Sequence, residues 1–489
     1  MAHSTLTSIP SILLGNGIGG TVAIAVTVFI IILTVSIYFN DRPYSGFLKI
    51  GRDESTWRAK QRWLSSAKSL MNEGLQKTNF PFQVIANCGP LIILPPATMD
   101  EIRNDDRMTF KAWLKQHFFT TYPGFQGFIP AVENDVFVNS VRIGLTQSLG
   151  QITEILSSET SITLEELFPF STEWLKIAVD YTVDFFTAAY VLRLCPPVLR
   201  PLVHWFLPQT RRLRASIKAA RRLIEPELAA RRLAQEEDRK AGKPVEKHVD
   251  ALQWVQSAAE AKGLHCDPVY GQLNYTLGAV HTTSVTFVNI LYDLMAHPEY
   301  IELLREEISR VFQEHGKWDK TALTKLKLMD SFMKESARLT PVTMLPVNRV
   351  AEETVTLSDG TVIPKGATLG VPTLRSVDPS VYQDPLKFDG HRFYNLSQQP
   401  GGATKYQFVS TSNDSIIFGH GKHACPGRFF ASNEIKIILV HLLTKYELKF
   451  PEGTTDRPKP MEMGADLMPN PEMKILIRSR VDGVVNHSF

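Results

Sequence analysis

The sequence predicts a mainly α protein with small β-sheets (α+β), preceded by one N-terminal transmembrane helix. Three observations carry this reading. An uncharged apolar run extends from Thr21 to Phe39, helical patterns dominate from Val132 to Leu339, and the stretch from Val350 to Gly390 is rich in Val, Thr, Pro and Gly with strand-like runs. Helix and sheet are therefore expected to segregate along the chain.

The first run, TVAIAVTVFIIILTVSIYF, is roughly 19 residues rising about 1.5 Å each, nearly the thickness of a hydrocarbon core. It is long for the core of a signal peptide, and no Lys or Arg precedes it within the first ten residues, so retention is favoured over cleavage. Arg42, Lys49, Arg52, Arg58, Lys60 and Arg62 follow it, which by the positive-inside tendency leaves the bulk of the chain cytosolic and the N-terminus luminal. Asp41-Arg42-Pro43 ends the helix and Tyr44-Ser45-Gly46 suits a short hinge. The chain thus divides into residues 1–40, luminal tail and anchor, and residues 41–489, one catalytic domain.

At 489 residues and 44% hydrophobic, the chain can bury a large core, and a net charge of +3 excludes nucleic acid as the main partner in favour of lipid. Cys88, Cys195, Cys266 and Cys425 are far apart with no framework spacing, so no disulfide is expected. Pro196 to Pro208 carries Leu202, Trp205 and Phe206, an apolar connection suited to dip into a bilayer surface. The charged run from Arg211 to Lys243 reads as the solvated face of a helix. Ser358-Asp359-Gly360 between two apolar runs predicts a hairpin, because the residue after Asp accepts positive φ.

The most informative segment is Phe418-Gly-His-Gly-Lys-His-Ala-Cys-Pro-Gly427, a lone cysteine on a glycine-rich loop leading into an apolar helix. Gly419, Gly421 and Gly427 allow tight turns and close approach of a flat ligand, while Lys422 and His423 place positive charge near the Cys425 sulfur and so favour thiolate. A phosphate loop would need Ser or Thr after Lys422 and Gly in place of Ile416. A closed zinc site would need a fourth ligand beyond His420, His423 and Cys425.

The loop matches F-x-x-G-x-x-x-C-x-G and so resembles the haem-binding loop of the cytochrome P-450 haem-thiolate monooxygenases, with Phe418, Gly421, Cys425 and Gly427 at the fixed positions. The resemblance, which extends from about Gly271 to Leu448, implies the fold of that family and haem b held by Cys425 as axial ligand. His423 falls on a propionate-binding position. Glu335 and Arg338 resemble the family's E-x-x-R helix, and Phe388-Asp-Gly-His-Arg392-Phe resembles the F-x-P-x-R-F segment, with Gly390 in place of proline and Arg392 completing a buried charge cluster. Leu277-Gly-Ala-Val-His281-Thr282-Thr resembles the oxygen-activating [AG]-G-x-[DE]-T-[TS] helix, with Ala279 where glycine is usual and His281 where the acid is usual. In that family the hydroxyl at the Thr282 position passes protons, and a histidine at 281 can relay them too. The plain alternative is that Thr282 bonds back to the preceding turn.

The resemblance further implies a monooxygenase, since thiolate ligation favours O–O cleavage. No G-x-G-x-x-G loop follows a strand, so electrons must come from NADPH through a membrane-bound cytochrome P-450 reductase, with cytochrome b5 as an accessory donor, on the endoplasmic reticulum membrane. The Ala-Val-His-Thr-Thr variant and the Cys425 loop look most like fungal members acting in specialised metabolism, several of which oxidise terpenoids. A terpenoid or meroterpenoid is thus the expected substrate, with an indole alkaloid or polyketide as the alternatives. Gly278, Ala279, Thr282, Met344, Leu345, Leu467 and Met468 are the expected pocket. A reductase-independent haem-thiolate isomerase or dehydratase, or a non-catalytic haem sensor or lipid-binding module, would lack reductase-dependent NADPH consumption.

Overall fold

The structure, a computed structural model, describes residues 18–165, 173–245, 247–454 and 456–480. The first 17 residues of the expected luminal tail lie outside them. A helix does form at Ile18–Asn40, and its described side chains, Ile30 and Tyr38 among them, are mostly exposed. Yet among the described residues no helix is long and apolar enough to cross a membrane. The transmembrane expectation is therefore not carried by the structure.

Helix dominates the remainder, as the patterning predicts, but helix and sheet do not segregate. The main sheet has six strands in the order β1-β2-β3-β8-β5-β4. It joins β1 (Leu48–Lys49), β2 (Phe82–Ala86), β3 (Gly89–Ile93) and β4 (Met108–Thr109) to β5 (Val347–Ala351) and β8 (Thr368–Val371). β2 and β3 are buried along their whole length, so they lack the alternating pattern that betrays a half-exposed strand. Between β5 and β8, β6 (Val355–Thr356) and β7 (Val362–Ile363) form the expected hairpin, Gly360 taking φ +84°. β9 (Tyr446–Lys449) pairs with β12 (Leu476–Ser479), and β10 (Met461–Met463) with β11 (Asp466–Met468).

One helix, Pro268–Ala296, runs through the protein. Asp267 caps it by accepting the Val269 N–H, and Pro268 stands at its first position, where a missing N–H costs nothing. Its ends are held by different cores. Leu273 and Leu277 pack with Tyr181 and Phe185 of the helix Glu173–Leu194, whereas Ile290 and Leu294 pack with Phe332 and Ile437. Its middle, around residues 278–284, is left partly uncovered. The connection at 196–208 contains the short helix Arg200–Phe206, whose Leu202, Trp205 and Phe206 are exposed, Phe206 by 66%. The charged run after it is the helix Pro208–Lys240.

Candidate active site

Cys425 sits where the glycine-rich loop meets the helix Arg428–Lys445. Its N–H donates to the Phe418 carbonyl at 2.7 Å, closing the loop, and Gly419 and Gly421 take φ of +68° and +72°. A side chain at 421 would strike the Arg103 carbonyl at 2.7 Å, so glycine is required there twice over. The Gly427 and Arg428 backbone lies near the sulfur and favours its charged form. Cys425 itself is half-buried.

Burial dominates its chemistry: it pushes the thiol up, while the Gly427 amide and then Arg428 pull it down. The expectation that Lys422 and His423 favour the thiolate is therefore corrected. Lys422 is turned outward to pair with Asp106, and His423, itself pushed down to about 3 by burial and by Arg349, carries no charge. A sulfur in this setting stays a thiol until a metal displaces the proton.

Two unspent donors lie nearby. His423 Nε2 and Arg349 Nε are buried without a hydrogen-bond partner, and burial pushes Arg349 down to about 10. Such groups call for anions. The donor set fits an iron porphyrin: a half-buried thiol, a Gly427 whose missing side chain would meet only Val141 at 4.0 Å, and two donors suited to a pair of carboxylates.

The structure brings Glu335, Arg338 and Arg392 together. Arg338 meets Glu335 through Nε and Nη2 at 2.8 and 2.7 Å, and Arg392 Nε lies 3.1 and 3.2 Å from the two carboxylate oxygens. Glu335 and Arg338 are 0% and 3% exposed, because the turn spacing that joins them also faces them into the core. The remaining donors go to carbonyls: Arg338 to Ser376 and Pro385, Arg392 to Gln383, Asp384 and Lys387.

On the central helix, Thr282 faces open space, and its hydroxyl donates to the Gly278 carbonyl at 2.8 Å. His281 points elsewhere, its ring centroid 5.3 Å from that of Phe186 and its basicity lowered by burial. The expected pocket is partly wrong. Met344, Leu345 and Leu467 are buried in a cluster with Trp63 and Phe82, while the neighbours Thr343 and Asp466 meet in an isolated bridge on the other side.

Three site residues escaped the sequence reading. Arg428 Nη1 donates to the Cys425 carbonyl at 2.8 Å and Nε to the Val409 carbonyl at 3.1 Å, tying the loop to the segment before it. Its place just after Pro-Gly was the available signal. Lys334 donates to the Gln407 and Ser410 carbonyls at 2.8 and 3.0 Å, and only its position beside Glu335 hinted at burial. Arg142 lies in a π-helical turn at Ser140–Leu145 and donates to the Lys422 carbonyl at 2.8 Å; nothing in its local pattern marks that turn.

Comparison with known proteins shows the family. The family profile described as Cytochrome P450 matches residues 169–477. Cytochrome P450 monooxygenase hepE of Aspergillus oryzae is 38% identical over 458 residues, 86% of this chain and 83% of the relative. Cytochrome P450 monooxygenase ntnM of Nectria sp is 38% identical over 464 residues, covering 88% and 87%. Cytochrome P450 monooxygenase adrA of Penicillium rubens is 38% identical over 464 residues, covering 87% and 90%.

Proposed function

The chain belongs to the cytochrome P450 family, and on that premise we propose that Cys425 would hold the iron of its haem and that the enzyme inserts one oxygen atom of O2 into a terpenoid or meroterpenoid of fungal specialised metabolism. The family uses haem b and takes electrons from NAD(P)H through a reductase. When bound, haem supplies the dioxygen chemistry, thiolate ligation favouring O–O cleavage.

The single observation that carries this reading is the half-buried Cys425 on its glycine-rich loop, with the buried, unpartnered His423 Nε2 and Arg349 Nε near it. Phe418 and Gly421 shape the loop, Gly427 admits the flat ring, and His423 with Arg349 takes the ring's carboxylates. Glu335, Arg338 and Arg392 would brace the backbone between Ser376 and Lys387. The exposed Thr282 hydroxyl can accept a proton on its oxygen and pass its own on by turning the O–H away from the Gly278 carbonyl; His281, a neutral base on the preceding position, can assist.

Residues 41–489 form the catalytic domain in this proposal. The exposed apolar helix Ile18–Asn40 and the exposed Leu202, Trp205 and Phe206 support its seating on the cytosolic face of the endoplasmic reticulum membrane, beside NADPH-cytochrome P-450 reductase and cytochrome b5. The test is spectroscopic and then catalytic. Reduced wild-type protein exposed to carbon monoxide is expected to show the long-wavelength band of thiolate ligation, and Cys425→Ala to lack it. Membranes given NADPH, reductase and a terpenoid panel are expected to form an oxygenated product; NADPH-independent turnover, or none with any terpenoid, would overturn the assigned reaction or substrate.

A further inference from the structure

One carboxylate, Glu335, serves both Arg338 and Arg392, and the lysine beside it in the chain has none. Lys334 is 2% exposed, and no carboxylate closes to within 4.0 Å of its Nζ among the described residues. Asp330, the one acid that bears on its charge, pairs with Lys436 at 2.6 Å. Lys334 donates instead to the Gln407 and Ser410 carbonyls, which leaves the third of its N–H groups without a protein acceptor among the described residues. Carbonyls carry dipoles but no net charge. Among these four side chains two positive charges therefore remain over, in a core where charges are ordinarily paired. Burial accordingly pushes Lys334 down to about 8.

A small cavity lies against these groups. Lys334 and Arg338 line it from the helix Lys327–Leu339, Arg375 and Tyr382 from the stretch after β8, and Asp414 from the segment that leads to the Cys425 loop. Its volume is about 10 Å³, room for one water-sized body and none for phosphate or a carboxylate. Its lining residues keep unused donors. The Tyr382 hydroxyl meets no protein partner among the described residues although the residue is buried. Arg375 uses only its Nε, which donates to Asp414 at 2.6 Å, and both its Nη groups lack a protein acceptor among the described residues. Asn413 Oδ1, buried without a partner, is an acceptor on the same wall. A water would satisfy it but leave both positive charges unmatched.

We propose that this cavity is a binding site for a single monatomic anion, chloride in the cell, held by Lys334, Arg375 and Tyr382. One negative charge halves the excess, accepts the third Lys334 N–H and fits the volume, which polyatomic anions do not. Ile416 and Ile417 line the same cavity and run directly into Phe418, the first residue of the Cys425 loop. The ion thus pins the segment from which that loop departs, and the fold around the loop gains stability as chloride rises. Neither the substrate nor the reaction assigned above enters this inference.

The test follows urea unfolding of the full-length holoenzyme in sodium chloride and in sodium gluconate at matched ionic strength, gluconate being too large to enter. At chloride tenfold above its dissociation constant the folded state is expected to gain about elevenfold over the unfolded one, and gluconate to give no such gain. Lys334→Met removes the charge that calls for the ion and is expected to abolish the difference. Should that variant fail to fold, Arg375→Gln, at a side chain 38% exposed, and Tyr382→Phe are each expected to shrink it. Crystals of the wild type soaked in sodium bromide are expected to show one anomalous peak within hydrogen-bond reach of Lys334 Nζ. Equal wild-type midpoints in chloride and gluconate, an advantage of chloride that persists in every variant that folds, or a water in the cavity with no bromide peak would overturn the proposal.

Discussion

The Tyr300 hydroxyl accepts the Gly390 N–H at 3.0 Å, and the Tyr300 ring occupies the place where a side chain at 390 would stand, 2.5 Å from its nearest carbon. Gly390 is where this chain departs from the proline usual in the resemblance. Glycine is not a looser substitute here, because Tyr300 and the Ser331 hydroxyl, which donates to the Gly390 carbonyl at 2.6 Å, hold the turn instead.

Restoring the proline is therefore expected to harm the protein. Gly390→Pro removes the N–H and drives a ring into Tyr300, a loss of about 2 to 4 kcal/mol. Denaturant unfolding measures it, and Gly390→Pro with Tyr300→Ala should recover part of the loss by removing the clash. A Gly390→Pro protein as stable as the wild type would show that the turn has no need of Tyr300.

Glu335 is the only carboxylate touching both arginines of its cluster among the described residues, so the three variants are expected to rank. Glu335→Ala strands two cations and should cost the most, at or above the about 3 to 5 kcal/mol typical of a broken buried pair. Arg392→Ala leaves Glu335 paired with Arg338 and should cost less. Haem content per protein and urea midpoints read the order. Normal haem content in Glu335→Ala or Arg338→Ala would refute the bracing role.

What was legible in the sequence is what chemistry or turn geometry pins to particular residue types. The Cys425 loop, the Glu335–Arg338 spacing, Arg392 and the Asp359-Gly360 hairpin each follow from the identity and spacing of a few residues. The main sheet does not. β1 and β4 are two residues each, β2 and β3 are buried throughout, and the parallel partner of β3 is β8, far along the chain, in a register running from Leu91↔Thr368 to Ile93↔Gly370. The pocket was misjudged because apolar character was taken to mark a cavity. Strand alternation instead sends Leu467 into the core and Asp466 into the open space.

Thr282 and His281 separate by geometry. The Thr282 hydroxyl is exposed and can turn its O–H from the Gly278 carbonyl toward a proton acceptor, whereas the His281 ring lies against Phe186. Thr282→Ala is expected to lower product formed per NADPH severalfold and Thr282→Ser to retain it, with His281→Ala lowering it less than Thr282→Ala. Unchanged coupling in both alanine variants would remove both residues from proton delivery.

Glu434 gives the fold a pH dependence of defined sign. It sits on the helix that follows Cys425, its Oε2 buried without a partner, and burial alone pushes its carboxyl up from 4.5 to about 7. In that interval the folded chain holds a proton that the unfolded chain has released, so the group's contribution to stability falls as pH rises from about 4.5 to 7 and stays low above it. Glu434→Gln keeps the shape and carries no charge. It should match the wild type near pH 4.5, lack the decline between, and be more stable at pH 8 by about 1 to 3 kcal/mol. Urea unfolding from pH 5 to 8 gives both slopes; parallel curves for wild type and variant would mean that Glu434 finds water or a partner once ionised, and that its burial costs the fold nothing.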